Sequence, residues 1–542
     1  MRTRRIYISI VLSILALHAS AQNTKTSKDT TIKGSTIEIM QAYKPEVKQM
    51  QKPEMVPTLA PTDTTHPKFN YVVPQQSLLY TYSSPALRPL ALGKDTAGKK
   101  LQNYVKAGAG NLSTIFLDAG LSKLTWKDYE AALHLHYLSQ DGSIQYQQVS
   151  LAGLEADGNL HRDGNNWHAF LDASRNQYHY YGYDHDIYNP PSDSLTQTFT
   201  GIHIGLDMQN EKPGYMGLNY HPAVFASLFK DAFKASETTL GFAVPVSKDI
   251  DSSLQVLAAI NATFTQFSGP SQSTGNNIFQ IAPGVNYHKD LWSIHATLSP
   301  TFGKDNVFFL PDIVGYYHLS QYGYLASAGW QSTLQQNSYE QLSAENPYMF
   351  NTYTIHQTHR DEVFADLKGS FGNHISFSGR LSWWQYGNLP LFINNLGDQK
   401  QFNVIYYEKV NAVSLQAAGR YDVGNTLSLG LSLAYFNFSS GSGKVWGQAP
   451  LRIKSDLSFR PINELICTAY MSVLGGTQAL NASQQAVTLP TALDIGGNAE
   501  YFIIPRLSLF LQINNILNNK YQLWQGYQAY GLNFYGGLRL KF

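Results

Sequence analysis

From about residue 101 to its end, the chain places apolar side chains at every second position, over and over. In the last stretch Leu507, Leu509, Leu511 and Ile513 alternate with Ser508, Gln512 and Asn514. After a loop, Leu532, Phe534, Leu538, Leu540 and Phe542 alternate with Asn533, Tyr535, Gly537, Arg539 and Lys541. A period of two with one apolar face is a strand, because successive side chains of an extended backbone point to opposite sides. The same alternation runs through Val363, Ala365, Leu367, Gly369 and Phe371, and again through Leu427, Leu429, Leu431 and Leu433. Between residues 451 and 460 the charges Arg452, Lys454, Asp456 and Arg460 all lie opposite Leu451, Ile453, Leu457 and Phe459. Strands of about ten residues with this pattern suit a barrel wall in lipid, apolar outside and polar inside. An arginine turned toward the bilayer midplane would cost about 2 to 4 kcal/mol, so the charged set is expected to face the lumen.

The connections alternate in length. Short turns fall at residues 123–128, 210–214, 288–290, 425–426, 461–463 and at Pro505; longer joints fall at 183–195, 269–277, 337–360, 389–401, 439–450, 475–489 and 517–531. Outer-membrane barrels have short periplasmic turns and long extracellular loops, and even strand numbers when both ends of the chain lie inside. The expected fold class is therefore all-β: a transmembrane antiparallel β-barrel of about 22 strands, spanning residues 101–542. Two places, near 220–235 and 303–322, leave the count open by two. No helical runs and no blade-length repeat are present.

Composition narrows the function. Only 14% of residues are charged, while Tyr and Phe number 35 and 27; that combination fits aromatic girdles at lipid headgroups. A net charge of +1 argues against nucleic-acid binding, which needs a basic bias. The lone Cys467, in the run Leu465, Cys467, Ala469, Met471, excludes an intramolecular disulfide and reads as a small apolar wall residue. Arg2, Arg4 and Arg5, the apolar run from Ile6 to Leu17 and Ala19-Ser20-Ala21 form a secretory signal peptide over residues 1–21. Residues 22–100 are rich in Pro, Thr and Lys, cannot build a core, and are expected to form a mostly irregular periplasmic arm that orders on a partner. Short extended pieces at 36–40 and 69–73 interrupt it.

The C-terminal sequence from Asn514-Asn515-Ile516-Leu517-Asn518-Asn519-Lys520-Tyr521 to Gly531-Leu532-Asn533-Phe534-Tyr535-Gly536-Gly537-Leu538-Arg539-Leu540-Lys541-Phe542 resembles the end of TonB-dependent outer-membrane receptors. The resemblance implies localisation in the outer membrane of a Gram-negative cell, contact with its lipids, and a receptor or transport role. It also implies that the barrel-assembly machinery takes up the last strand, ending at Phe542. Such a receptor would carry a folded plug of well over a hundred residues and an energy-coupling box. Residues 22–100 leave no room for that plug, and Ser35 to Ala42 only faintly echoes such a box. The alternative reading is a non-transporting structural or assembly component, with the arm and outer loops binding protein partners.

Candidate chemistry is sparse. Tyr178, His179, Tyr181, Tyr183, Asp184 and His185 form the densest polar and aromatic cluster, suited to a divalent metal or a sugar face, or else to a girdle running into a wet loop. Trp383, Trp384 and Tyr386 read as an interface belt. Gly441-Ser442-Gly443-Lys444 lacks the spacing of a phosphate loop. No serine sits in a G-x-S-x-G elbow and the histidines are scattered, so no enzyme and no cofactor is expected.

Overall fold

The computed structural model describes residues 103–542, apart from Lys127, Ser271, residues 320–322, 352–353, Leu396, Asp398 and Ala482. The signal peptide, the arm and its extended pieces at 36–40 and 69–73 lie outside the described residues. The described chain forms one closed antiparallel barrel. Its first strand, Tyr104–Gly110, pairs on one side with Ile115–Trp126 and on the other with the last strand, Asn533–Lys541. Of the 23 strand segments in the ring, Leu218–Tyr220 and Ala223–Lys230 are two halves of one wall strand, both paired with Ser236–Asp249, so the barrel has 22 strands. His221 and Pro222 separate the halves, since proline has no amide to give the ladder. No helix among the described residues is long and apolar enough to cross a membrane.

Burial is inverted relative to a water-soluble sheet. Leu381, Leu431, Leu511 and Leu538 on the outer face are about half exposed, whereas Ser382, Ser414, Ser508 and Glu237 on the inner face are almost fully buried. An exposed apolar band around a polar interior is what a lipid-facing wall requires. The interface-belt reading holds for one of its three members. Trp383 faces outward, but Trp384 turns inward, donates to Ser414 Oγ at 3.0 Å and stacks on Tyr386. Adjacent positions of a strand cannot share a face, which is why the pair divides.

Turns lie at the end where the chain leaves the barrel, and the long loops at the other, as the spacing predicts. One joint differs: residues 269–277 do not form a long loop, because the strand Ser273–Lys289 begins almost at once and pairs with Leu254–Ser268 as far as Ser268↔Ser273. The alternation of connection lengths predicts a longer joint there; cross-strand pairing shortens it.

Glycines sit where the ring closes. Gly108 stands opposite Gly537, and the Phe510 ring covers Gly108 from the lumen. A side chain at Gly537 would run into the Ala107 carbonyl and the Cα of Gly108. Gly537→Val is therefore expected to prevent closure. The check is the mobility shift between unheated and heated protein on a gel, which should vanish; a folded band of normal intensity would contradict this account of the seam.

Candidate functional site

The inner wall carries two chemically different sectors. On the strands between Ile115 and Lys230, histidines alternate with carboxylates. His134 lies 2.9 Å from Asp118 and 3.3 Å from Glu155; His168 lies 2.8 Å from Asp207 and 3.4 Å from Asp157; His221 reaches Asp207 at 2.8 Å. Across the lumen, between Thr358 and Ile462, arginine and lysine dominate. Arg380 bridges the buried Glu362 and Asp366 at 3.3 and 3.0 Å and rests on the Phe364 ring. Arg420 pairs with Asp456 at 3.0 Å. A hollow of about 470 Å³ opens among Lys368, Arg380, Gln416, Arg452 and Lys454. The charged set expected to face the lumen lies in this sector, with Arg452 and Lys454 lining the hollow.

At one mouth of the barrel the protein's own loops pack together. Those at 180–195, 336–357, 388–409 and 515–532 fold inward and share a hydrophobic core. Tyr181, Tyr339, Leu342, Met349, Ile355, Phe392, Phe402 and Tyr527 pack there against the wall residues Phe199, Phe229 and Phe267. Tyr348 stacks on Tyr527 at 3.6 Å between ring centres. The loops at 336–357 and 388–409 are stitched by main-chain bonds from Phe350 N to Phe402 O (2.8 Å) and from Phe402 N to Tyr348 O (3.0 Å).

At the centre of this lid is a short helix, Tyr339–Glu345. Ser338 caps it, its hydroxyl accepting from Gln341 N, and the S-x-x-Q spacing is that of a capping box. Asn346-Pro347 ends it, because the residue before proline is pushed out of the helical region. The helix is latched to the wall. Glu237 Oε2 accepts from Tyr339 N at 2.7 Å and Oε1 from Glu340 N at 3.2 Å, while Glu340 receives Ser227 Oγ at 3.0 Å and pairs with His203 at 2.8 Å. Tyr339, with no exposed surface, donates its hydroxyl to Asp231 at 2.8 Å. Burial pushes both the Tyr339 phenol and the Asp231 carboxyl up.

That second shift has a pH consequence. Asp231's folded value exceeds its unfolded one, so its contribution to docking is complete below the ordinary carboxylate range and is lost as pH rises through the raised value. Amide exchange of the 339–351 segment, corrected for the intrinsic rate, is expected to be faster at neutral pH than in mild acid. Asp231→Asn should weaken this dependence; an unchanged dependence would count against it.

The cluster singled out from sequence is distributed through the lid. Tyr178 and His179 end the strand Asn165–His179; Tyr178 packs against Phe199 and Tyr348. Tyr181 is buried and donates to Gln528 O at 2.8 Å. Tyr183 is buried with His185 stacked on it at 4.3 Å, His185 also reaches Tyr181 O at 3.1 Å, and Asp184 accepts from Asp186 N at 2.9 Å. Sequence reasoning missed Glu237, Tyr339, Glu340 and the histidine sector. For the helix the available signal was the capping spacing from Ser338 to Gln341. Ser332, His359 and Asp361 also come together, with Ser332 Oγ 2.9 Å from His359 Nε2. Asp361, however, accepts from the serine hydroxyl itself, which ties up the proton a nucleophile would pass to histidine.

Comparison with solved structures places the barrel. The pyoverdine receptor FpvA of Pseudomonas aeruginosa, bound to pyoverdine, shares 10% identity with a TM-score of 0.62, covering 81% of this chain and 78% of its own. The FrpB iron transporter of Neisseria meningitidis shares 10% with a TM-score of 0.63, covering 82% of each chain. The ferric-catecholate import receptor Fiu of E. coli, in its closed form, shares 8% with a TM-score of 0.61, also covering 82% of each. No family model and no curated protein sequence matches. The barrel thus has the fold of TonB-dependent receptors, the fold that its C-terminal sequence resembles.

Proposed function

We propose that this protein is an outer-membrane receptor of transport type whose outer mouth is gated by its own loops. One observation carries the reading: a hydrophobic lid, packed on Phe199, Phe229 and Phe267 of the wall and latched through Glu237 and Glu340, lies over one end of a barrel whose lumen is lined with charges. A lid with its own core and a few wall contacts has two discrete arrangements, docked and released, which a ligand binding outside could bias. The solved receptors of this fold, named for iron and siderophore import, support a receptor or transport role. The arm at residues 22–100 is read as engaging an envelope protein partner or the barrel, and the strand ending at Phe542 as the element the assembly machinery takes up.

The test is conductance in planar bilayers, comparing the intact protein with one lacking residues 22–100. A closed intact barrel that conducts once the arm alone is removed would make the arm, and not the lid, the gate; one that conducts only when the arm is removed and the lid is destabilised together would make them two gates in series. Conductance that stays closed in both, and also after the lid is destabilised as described in the Discussion, would rule out gating and leave a scaffold that binds envelope proteins.

A further inference from the structure

We propose that His134, His136 and Glu155 form a three-donor site for a divalent transition-metal ion on the lumen wall. One ligand atom from each lies within 4.8 Å of the other two, and this is the group of three that comes together among the described residues. The backbone sets the arrangement. His134 and His136 are two apart on the strand Tyr129–Asp141, so both point into the lumen. Glu155, on the strand Gln148–Arg162, stands directly opposite His134 in the ladder. His136 stands opposite Gly153, and its ring lies over that glycine in the space a side chain would fill. The missing side chain lets the imidazole lean toward the strand that carries Glu155.

Two details favour a cation over a simple polar patch. Asp118 Oδ2 lies 2.9 Å from His134 Nε2, within reach of a proton on that nitrogen. With the proton at Nε2, Nδ1 presents a lone pair toward Glu155, the carboxylate-histidine arrangement that orients a metal ligand from behind. Nδ1 and Glu155 Oε2 are 3.3 Å apart. Two lone-pair atoms at that separation repel unless a proton or a metal ion sits between them, and the distance matches the edge of a tetrahedron with metal bonds of about 2.0 to 2.1 Å. Asp172, opposite Glu155 on the next strand, adds negative charge nearby. Two imidazoles and one carboxylate suit zinc and its late first-row neighbours. Three protein donors leave a fourth position facing the lumen, open to water or a ligand donor.

The experiment is calorimetric titration of the full-length protein in detergent with zinc alone. One saturable ion per barrel is expected. His136→Ala and Glu155→Gln should each weaken it at least tenfold, and Asp118→Asn about tenfold to a hundredfold. Gly153→Val keeps every donor yet displaces the His136 ring, so it should weaken binding as well. His168→Ala, in another histidine-carboxylate set of the same wall, should leave affinity unchanged. Absence of saturable binding would overturn the proposal and assign the space between His134 and Glu155 to a proton. Affinity retained in His136→Ala and Glu155→Gln would also overturn it, marking scattered surface histidines as the binders. No conductance is read here, so a failed titration leaves the gating proposal untouched.

Discussion

A barrel carrying Tyr339→Ala is expected to fold and insert normally and yet conduct continuously. Tyr339 lies in the lid, outside the ladder that closes the ring, so its loss leaves the wall intact. Its ring packs against Phe199, Phe229 and Phe267 of the wall, and truncating a buried aromatic costs about 3 to 5 kcal/mol. The same change takes the phenol donor from the buried Asp231. A lid held by one short helix and a few wall contacts has little reserve against a loss of that size. Tyr339→Phe removes only the hydroxyl and should give brief openings. Planar-bilayer recordings of the two variants, each with and without residues 22–100, decide the matter: a Tyr339→Ala barrel that is silent in both forms, shown to be folded by its gel mobility, would mean that the lid does not gate.

Leu431→Arg is expected to abolish assembly, while Ser432→Asp at the next residue is expected to be silent. Leu431 is about half exposed on the outer face of Leu427–Ser440, where lipid replaces water. A cation there costs about 2 to 4 kcal/mol near the midplane. Ser432 faces the lumen directly opposite Lys454, so an added carboxylate meets an opposite charge in water. The yield of heat-modifiable protein in membranes measures both. Equal yields would reverse the facing assigned to this wall.

Much of the wall was legible because a membrane barrel writes its two faces into alternate residues. Leu431 and Ser432, or Arg452 and Leu451, declare their sides without any knowledge of neighbours. Loop length likewise revealed which end is which. The lid was not legible, because its contacts join segments far apart in sequence. Nothing local to Tyr339 announces Asp231 or Glu237, and nothing near Tyr527 announces Tyr348. The histidine sector escaped for a related reason: His134 and His136 look ordinary until the ladder places Glu155 opposite one and Gly153 opposite the other. Trp384 misled because its neighbour Trp383 does sit on the outer face, and two adjacent tryptophans suggest one belt. The loop cluster from Tyr178 to His185 was found as a dense patch, but its tyrosines turn out to serve the lid's core.

The pairing of the first strand with the last sets a condition on biogenesis. Asn111 bonds to Leu532 and Phe534 across 421 and 423 residues of chain. Until the strand Asn533–Lys541 is in place, the strands Tyr104–Gly110 and Leu507–Asn514 are both open edges, each able to recruit a stray strand from another molecule. A chain truncated by even its final nine-residue strand would keep most of its wall yet possess two sticky margins instead of none. Such a product should be an oligomer-former or a target for degradation rather than a leaky barrel.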